Sequence, residues 1–333
     1  MRRSLRAWLA AGGLLISAAA GAAQDASKPP ANDDCLACHD DKDAKRADGS
    51  AIAVDAKTIA ASKHGRAACV DCHADLKALK EYPHPDKLAK VNCASCHGEV
   101  GATYHDSIHA RARERSGLIV APACADCHGK HDIKGKLDPA SRVVKTSVAA
   151  TCGTCHVGIR ERYDAGIHAV ALKRGDARAP VCIDCHTAHS IQRADTDVWR
   201  LGAARECGTC HVKVVESFTR TFHGKVTQLG FSRVAACADC HGAHDILPPS
   251  NPASTVAPQH LVETCSKCHQ GANARFVEYD PHPNPGDYHR SWALWWANVF
   301  YRGLIPGCFA FFALHSALWF NRSWRERRSA DRS

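Results

Sequence analysis

The stretch "CADCHGAHDI" (residues 237–246) contains two cysteines three residues apart, an adjacent histidine and a second histidine three residues further on. Two similar stretches occur earlier in the chain: "CADCHGKHDI" begins at Cys124 and "CIDCHTAHSI" begins at Cys182. Two thiols and two imidazoles in so short a stretch, repeated three times, indicate that the fold is organised around bound groups. The cysteine spacing shows which group.

The chain has 19 cysteines in 333 residues, and 18 of them form nine CxxCH motifs. CxxCH is the attachment signature of c-type haem, because both thiols can reach the vinyl groups of one porphyrin while the histidine lies under the iron. The sequence therefore predicts nine covalently attached haem c groups. We number the motifs first to ninth along the chain. Their cysteines are Cys35, Cys38, Cys69, Cys72, Cys93, Cys96, Cys124, Cys127, Cys152, Cys155, Cys182, Cys185, Cys207, Cys210, Cys237, Cys240, Cys265 and Cys268. The proximal histidines are His39, His73, His97, His128, His156, His186, His211, His241 and His269.

Two other kinds of cysteine-rich chain fit the motifs less well. Small exported proteins are often held together by disulfides, and zinc ribbons use paired CxxC sequences. Neither requires a histidine directly after every second cysteine.

The histidines outside the motifs supply nine candidate distal ligands. Three of them follow the first cysteine of the third, fifth and seventh motifs at one constant interval, and a fourth follows that of the ninth motif at an interval one position longer. The second histidine of each CxxCHxxH stretch is too close along the chain to reach the far face of its own haem, so we expect it to bind a neighbouring iron. In the first repeat, where this copy is absent, His84 in "EYPHPDK" is the expected substitute. The candidates are His64, His84, His109, His131, His168, His189, His223, His244 and His282.

Methionine does not compete for these positions, since the only methionine is Met1. Histidine on both faces of every iron is the simplest prediction, and it implies lower reduction potentials than His/Met ligation. His105, His260, His289 and His315 are left over. Among these, His289 and His260 are the expected replacements if one of the distal ligands is wrongly assigned.

The odd-numbered motifs recur at nearly equal intervals, which predicts an internal repeat. They begin at Cys35, Cys93, Cys152, Cys207 and Cys265. The expected fold is mainly α and irregular, a haem-packed multihaem cytochrome c built from two-haem repeats, with one C-terminal transmembrane helix. Segments 102–116, 159–174 and 212–226 are expected to be helical and to carry a distal histidine. The predicted segments are two-haem repeats over 24–92, 93–151, 152–206 and 207–264, and a ninth-haem half-repeat over 265–290.

The two ends of the chain predict its location. Residues 1–23 combine basic "MRRSLR", an apolar run and small residues, as in a cleaved secretory signal peptide; a retained N-terminal anchor is the alternative. Residues 291–320 are an interfacial segment and transmembrane helix whose apolar part is 303–320; a buried helix of a soluble domain is the alternative. The tail 321–333 carries five arginines, which places it in the cytoplasm. The haem domain is then periplasmic, anchored in a bacterial inner membrane and in contact with its lipid.

The formal charge of +9 does not indicate a nucleic-acid partner. The signal segment and the tail each contribute +3, which leaves +3 for the rest of the chain. Haem propionates would offset that remainder, so no nucleic-acid partner is expected.

The chain resembles membrane-anchored multihaem cytochromes c of bacterial respiratory chains. The resemblance lies in the nine motifs, in "CxDCHGxHDI" followed by "TCGTCH", and in "HPNPGDYHRSWALWW" before the terminal helix. It implies a membrane partner, a cytochrome b or another quinone-linked subunit. We expect an electron conduit between such a module and periplasmic redox proteins. The alternative is a reductase of a small nitrogen or sulfur oxyanion with one open-coordination haem. Such enzymes often carry a modified motif such as CxxCK, and no motif here is modified. Haem storage, a third possibility, would not need an ordered repeat.

Overall fold

The computed structural model describes residues 28–46 and 48–331, so the predicted signal peptide lies outside the described residues. The described chain consists of helices, turns and loops, and its β-type pairing is confined to one isolated bridge between Lys45 and Ala51. The prediction of a mainly α and irregular fold is confirmed.

The described residues form two compact units, which divide between Cys93 and Ala94. The helices described in the first unit are α1 (Asn32–His39), α2 (Ala56–Ala60) and α3 (Cys69–Cys72). Those of the second unit are α4 (Gly98–His105), α5 (Ile108–Glu114), α6 (Cys124–His128), α7 (Lys145–Gly153), α8 (Val157–Ala165), α9 (Ile167–Lys173), α10 (Cys182–His186), α11 (Asp197–Gly208), α12 (Val212–Arg220), α13 (Phe222–Gln228), α14 (Cys237–His241), α15 (Leu261–Ser266) and α16 (Trp292–Ala330). Short 3-10 turns occur at Ala74–Leu76, Cys93–Ser95, Pro258–His260 and Phe276–Glu278.

Each even-numbered motif begins a short helix. The first cysteine is the first helical residue of α3, α6, α10 and α14. The third residue of each motif is an aspartate that accepts a hydrogen bond, at 2.7–2.9 Å, from the backbone N–H of the residue before the motif. Such a cap fixes the first turn of the helix. Because residues i and i+3 share one helical face, the two thiols then point to the same side.

The fifth, seventh and ninth motifs are placed differently, at the end of a helix. α7 ends inside the fifth motif, α11 inside the seventh and α15 inside the ninth. The proximal histidine of the fifth motif is also the N-cap residue of α8, and that of the seventh is the N-cap residue of α12. These histidines therefore lie at the junction between two helices.

Each segment predicted to be helical around a distal histidine forms two short helices. The breaks between α4 and α5, α8 and α9, and α12 and α13 fall near Ser107, Gly166 and Thr221. The side-chain oxygens of Ser107 and Thr221 accept hydrogen bonds from backbone N–H groups of the following helix, which begins a new helix at that point. The distal candidate is the second residue of that new helix in all three cases: His109, His168 and His223.

Two tyrosines, one in α4 and one in α8, form hydrogen bonds with the segment just before an even-numbered motif. The Tyr104 hydroxyl donates to the Pro122 carbonyl at 2.5 Å, and the Tyr163 hydroxyl donates to the Pro180 carbonyl at 2.8 Å. Burial raises the pKa of Tyr163 to about 12, which agrees with a hydroxyl that keeps its proton. The equivalent residue of α12 is Phe218, which is 8% exposed and has no hydroxyl.

Replacing Tyr163 with phenylalanine is therefore expected to lower the free energy of unfolding by about 0.5–1.5 kcal/mol, the usual net value of one hydrogen bond. Phe218 shows that the ring alone fits this position. Denaturant unfolding of the holo-protein, followed by circular dichroism, measures the change. An unchanged free energy of unfolding would mean that the hydrogen bond contributes nothing, and Phe218→Leu, which removes the ring itself, serves as the comparison.

The buried apolar core of the described residues is small. It comprises Val70, Ala110, Ala121, Val148, Ala169, Ala179, Val181, Phe218 and Ala257. Alanine and valine dominate it, and a chain of this length normally buries much larger side chains. The helices therefore need other apolar groups between them, which is what porphyrins would supply.

Helix α16 differs from the rest of the chain. It has 39 residues, none of them buried, and its most apolar 18-residue stretch has a mean hydropathy of 1.5. Among the described residues it is the one helix long and apolar enough to cross a membrane. Its apolar part, 303–320, rises about 27 Å, close to the hydrocarbon thickness of a bilayer. Trp292 and Trp296 precede that part, and the Arg328 guanidinium lies 3.9 Å from the centroid of the Trp324 ring beyond it. Tryptophans and arginines at such positions are typical of membrane interfaces.

Candidate haem-binding sites

Seven proximal histidines each face a second histidine across a gap of constant width. The ring centroids lie 5.9–6.3 Å apart in every pair. With the proximal residue first, the pairs are His39–His84, His128–His189, His156–His109, His186–His244, His211–His168, His241–His282 and His269–His223.

This width fits one iron between two imidazoles. A bond of about 2.0–2.1 Å from a metal to each ring nitrogen, plus about 1 Å from that nitrogen to its ring centre, separates two facing centroids by about 6.2 Å. The paired side chains therefore fit the axial positions of a haem iron, with a CxxC beside each pair for covalent attachment.

The distal residue of most pairs comes from a neighbouring segment of the chain. His109, His168 and His223 each face the proximal histidine of the next odd-numbered motif. The second histidines of the CxxCHxxH stretches face the opposite way along the chain: His189 pairs with His128 of the fourth motif and His244 pairs with His186 of the sixth. Neighbouring segments thus exchange histidines in both directions.

Backbone hydrogen bonds accompany this exchange. The Ile108 N–H, at the start of α5, donates to the Ile191 carbonyl at 2.8 Å, and the Ile167 N–H donates to the Ile246 carbonyl at 2.8 Å. Ile191 and Ile246 are the last residues of the CxxCHxxHxI stretches. The stretch of the sixth motif therefore supplies a histidine to the fourth motif and holds α5, which carries a histidine to the fifth. The stretch of the eighth motif supplies one to the sixth motif and holds α9, which carries a histidine to the seventh.

His84 and His282 face the proximal histidines of the first and the eighth motif, near the two ends of the motif series. His84 faces His39 of the first motif, and both lie in the first unit. His282 lies beyond the ninth motif and faces His241 of the eighth. Both come from loops rather than from a helix pair or a CxxCHxxH stretch.

The remaining proposed ligands are divided between the units. His64 and His73 belong to the first unit, and His97 and His131 belong to the second. Their ligation stays a prediction.

The four leftover histidines have other neighbours. The His105 Nδ1 lies 2.8 Å from Glu114, and the His260 Nδ1 lies 3.5 Å from Glu263. The ring of His289 contacts Tyr288, and that of His315 stacks on Phe311 at 6.3 Å.

Hydrogen bonds orient several of the paired rings. The Nδ1–H of His39 donates to the Ile52 carbonyl at 2.8 Å, and that of His84 donates to the Pro85 carbonyl at 2.9 Å. The Ser217 hydroxyl donates to the Val214 carbonyl, so its oxygen accepts from the His282 Nδ1–H at 3.2 Å. A proton on Nδ1 leaves the Nε2 lone pair for a metal, and such partners fix the ring orientation.

Burial favours the neutral form of these rings. It lowers the pKa of at least one histidine in six of the seven pairs, because a buried charge is poorly solvated. A neutral imidazole can bind iron, whereas the protonated ring cannot. The histidines concerned are His109, His128, His168, His186, His223, His241, His244 and His282.

Cysteines of consecutive motifs are close neighbours. The Cys152 thiol donates to Cys182, which lowers the pKa of Cys182 to about 7, and the Cys237 thiol does the same to Cys207. A hydrogen bond also joins Cys35 and Cys69 of the first two motifs. Electrostatic interactions extend the series in the second unit, pairing Cys127 with Cys155, Cys185 with Cys207 and Cys240 with Cys265. From the fourth motif to the ninth, each motif therefore adjoins the next one in the sequence.

Three residues that influence these sites were not identified from the sequence. Trp199 stacks on His186 and Phe276 contacts His269, with centroid distances of 4.8 and 4.9 Å. The sequence gives no signal for Trp199, because the equivalent positions before the fifth and ninth motifs are Val144 and Ala257. Thr187 could have been noticed in the sequence, since the similar stretches have glycine at this position, Gly129 and Gly242.

Thr187 has a φ of 63° and a ψ of 172°. This conformation is almost restricted to glycine, and it costs a branched residue about 1–3 kcal/mol. The backbone directly after His186 is therefore strained.

The chain is similar to two curated proteins. It is 28% identical over 145 residues to the cytochrome c-type protein NrfB of Escherichia coli O6:H1, an alignment that covers 40% of this chain and 71% of that protein. It is 25% identical over 261 residues to the high-molecular-weight cytochrome c of Nitratidesulfovibrio vulgaris, covering 74% of this chain and 36% of that protein. The chain thus spans little more than a third of the second relative. No protein-family model matches the chain, and no solved structure matches it significantly. Both relatives are c-type cytochromes, and together with the closely spaced cysteine pairs they support a multihaem cytochrome that binds haem c covalently and transfers electrons.

Proposed function

We propose that the chain is a nine-haem electron-transfer protein, anchored in the bacterial inner membrane by α16 with its haem domain in the periplasm. It relays electrons between a quinone-linked membrane subunit, such as a cytochrome b, and periplasmic redox proteins. The observation that carries the proposal is the set of seven imidazole pairs with a separation that fits one iron.

Different residues attach the haems to the chain and bind their irons. The 18 motif cysteines attach them, the nine motif histidines bind the irons on one face, and the paired histidines bind them on the other. His64 and His131 are proposed as the distal ligands of the remaining two irons, whose proximal ligands are His73 and His97. Haem supplies reversible one-electron chemistry when bound. The chain contributes axial ligands, buried surroundings and the contacts between consecutive motifs that bring one site next to another.

The axial ligands favour electron transfer over reduction of a substrate. A reductase needs an iron with an open position. In each described pair both axial positions have a histidine, and buried neutral rings suit binding to iron. Paired histidines also favour low reduction potentials, which suit exchange with a quinone-linked partner.

The membrane orientation rests on the charged and aromatic residues around α16. Four arginines of the described tail, Arg322, Arg325, Arg327 and Arg328, follow the apolar part, and positive residues favour the cytoplasmic side. The opposite end of the helix then lies in the periplasm, directly after the ninth motif and His282. The quinone-linked partner follows from the resemblance of the chain to membrane-anchored multihaem cytochromes c.

Two measurements test the proposal. Intact-mass analysis of fully matured protein should give nine haems per chain, and eight or fewer would contradict the count. Low-temperature EPR of the oxidised protein should show only low-spin ferric haem. A stoichiometric high-spin signal would instead favour a reductase with one open-coordination haem.

A further inference from the structure

The sixth site has an aromatic ring stacked parallel on its proximal histidine, whereas the Phe276 ring at the ninth site is tilted by 45° to His269. The indole ring of Trp199 lies parallel to the His186 ring, with an interplanar angle of 5° and a centroid distance of 4.8 Å. On the opposite side of the gap, the His244 ring lies within 18° of the His186 plane. His186 therefore faces the His244 imidazole across the gap and is also stacked against the Trp199 indole.

Hydrogen bonds and an ion pair fix the part of α11 that carries Trp199. It lies in the first turn of α11, where its backbone N–H donates to the Thr196 hydroxyl at 3.3 Å. The next residue, Arg200, pairs with Asp239 of the eighth motif at 2.9 Å and also donates to the Ser232 carbonyl. Helix α11 contacts both α10 and α14, so the helix that carries Trp199 is held against the sixth and eighth motifs.

The fourth site supplies an internal comparison. Its distal histidine comes from the same kind of CxxCHxxH stretch, and its rings are also nearly parallel, at 10°. The residue equivalent to Trp199 is Val144, which stands at the same distance before the fifth motif, and valine has no ring to stack on His128. The near-parallel rings are thus common to the fourth and sixth sites, whereas the stacked indole is an addition at the sixth site.

We propose that Trp199 is a positioning residue that fixes the imidazole plane of His186 and shields it from water, so that the sixth haem differs from the fourth. The proposal rests on the haem ligation proposed above. An imidazole bound to iron can rotate about the iron–nitrogen bond, and a parallel indole in contact opposes that rotation. An apolar cover also limits solvent access, which controls the potential of a bound metal.

Thr187 does not offer an equivalent explanation. Its strained conformation lies in the backbone, and its hydroxyl is 3.2 Å from the Ser190 hydroxyl, next to His189. That contact belongs to the loop that carries a ligand to the fourth site, whereas Trp199 contacts the His186 ring itself.

The test uses Trp199→Leu in the full-length holo-protein, with EPR of the oxidised form and a redox titration. One low-spin signal should shift and broaden because the ring is freed. One haem should also titrate at a lower potential because water then stabilises the ferric charge. Trp199→Phe, which keeps an aromatic ring, should retain the wild-type signal, and so should the control Val198→Ala on the exposed side of the same helix. The signal that moves should be the one that His244→Met removes.

Identical EPR and redox titrations of Trp199→Leu and wild type would overturn the inference while leaving the proposed function intact. If His244→Met instead leaves every low-spin signal and every potential as in the wild type, ligation at the sixth site is wrong and the proposed function fails there. Should Trp199→Leu not mature, Trp199→Met fills much of the space without a ring and carries the same expectation.

Discussion

Replacing His244 with methionine is expected to raise the reduction potential of one haem by on the order of 0.1 V, within the span of about 0.8 V that axial ligands cover. The thioether is a weaker donor to ferric iron than imidazole, so it favours the reduced state. His244 faces His186 with ring centroids 6.1 Å apart, which assigns the change to the sixth haem. A potentiometric titration followed by visible absorbance measures it.

A matched control is His260→Met, because His260 is paired with Glu263 and faces none of the seven proximal histidines described above. It should leave every potential unchanged. His189→Met should raise a different potential, that of the fourth haem, since His189 faces His128. If His244→Met and His189→Met both titrate like the wild type, the second histidines of the CxxCHxxH stretches are not ligands.

The sequence alone could identify the kind of residue at each site but not its partner. The CxxCH spacing predicts attachment, and the constant interval after the odd-numbered motifs singles out His109, His168 and His223. An interval along the chain carries no information about which iron a histidine reaches. The pairing depends on how neighbouring segments pack, because each of these histidines serves the following odd-numbered motif rather than its own.

The helix breaks before the distal histidines show a second limit. Apolar periodicity in 159–174 predicts helix, but it does not show where one helix ends and the next begins. The structure ends α8 at Ala165 and begins α9 at Ile167, whose N–H donates to the Ile246 carbonyl. That carbonyl belongs to the loop after the eighth motif, far along the chain from α9. A local pattern cannot anticipate a tertiary hydrogen bond that starts a new helix.

The proposed membrane anchor, helix α16, gives the other large expected effect. The apolar part of α16 contains one ionisable ring, His315, stacked on Phe311 at 6.3 Å and 11°. A histidine inside a membrane helix is costly in lipid and usually faces protein or a water-filled cavity. Cys308 and Phe311 lie on the same face, seven and four residues before it. These three residues form a seam that we propose packs against a helix of the quinone-linked partner.

Removing the anchor should therefore slow reduction by quinol in membranes by roughly 100-fold, the order of the effective-concentration advantage that tethering gives. The position of the cut matters. Arg290 pairs with Asp280 at 2.8 Å, and Asp280 accepts from the His282 backbone N–H at 2.8 Å. A cut after Asp287 would remove Arg290 and disturb the loop that carries His282. A cut after Ser291 keeps the pair, so the exported domain should retain nine haems and accept electrons from dithionite.

A second variant separates docking from simple attachment to the membrane. It keeps the full chain but replaces residues 303–320 with leucines, which preserves a span of the same length and removes the seam. If the seam docks the partner, this variant stays in the membrane yet is reduced by quinol as slowly as the truncated domain. His315→Leu alone should show part of that loss, while Leu318→Ile, also exposed on the helix, should show none. Full-rate reduction of the all-leucine variant would mean that the anchor only tethers the domain. Full-rate reduction of the truncated domain as well would mean that α16 has no part in quinol-linked electron transfer.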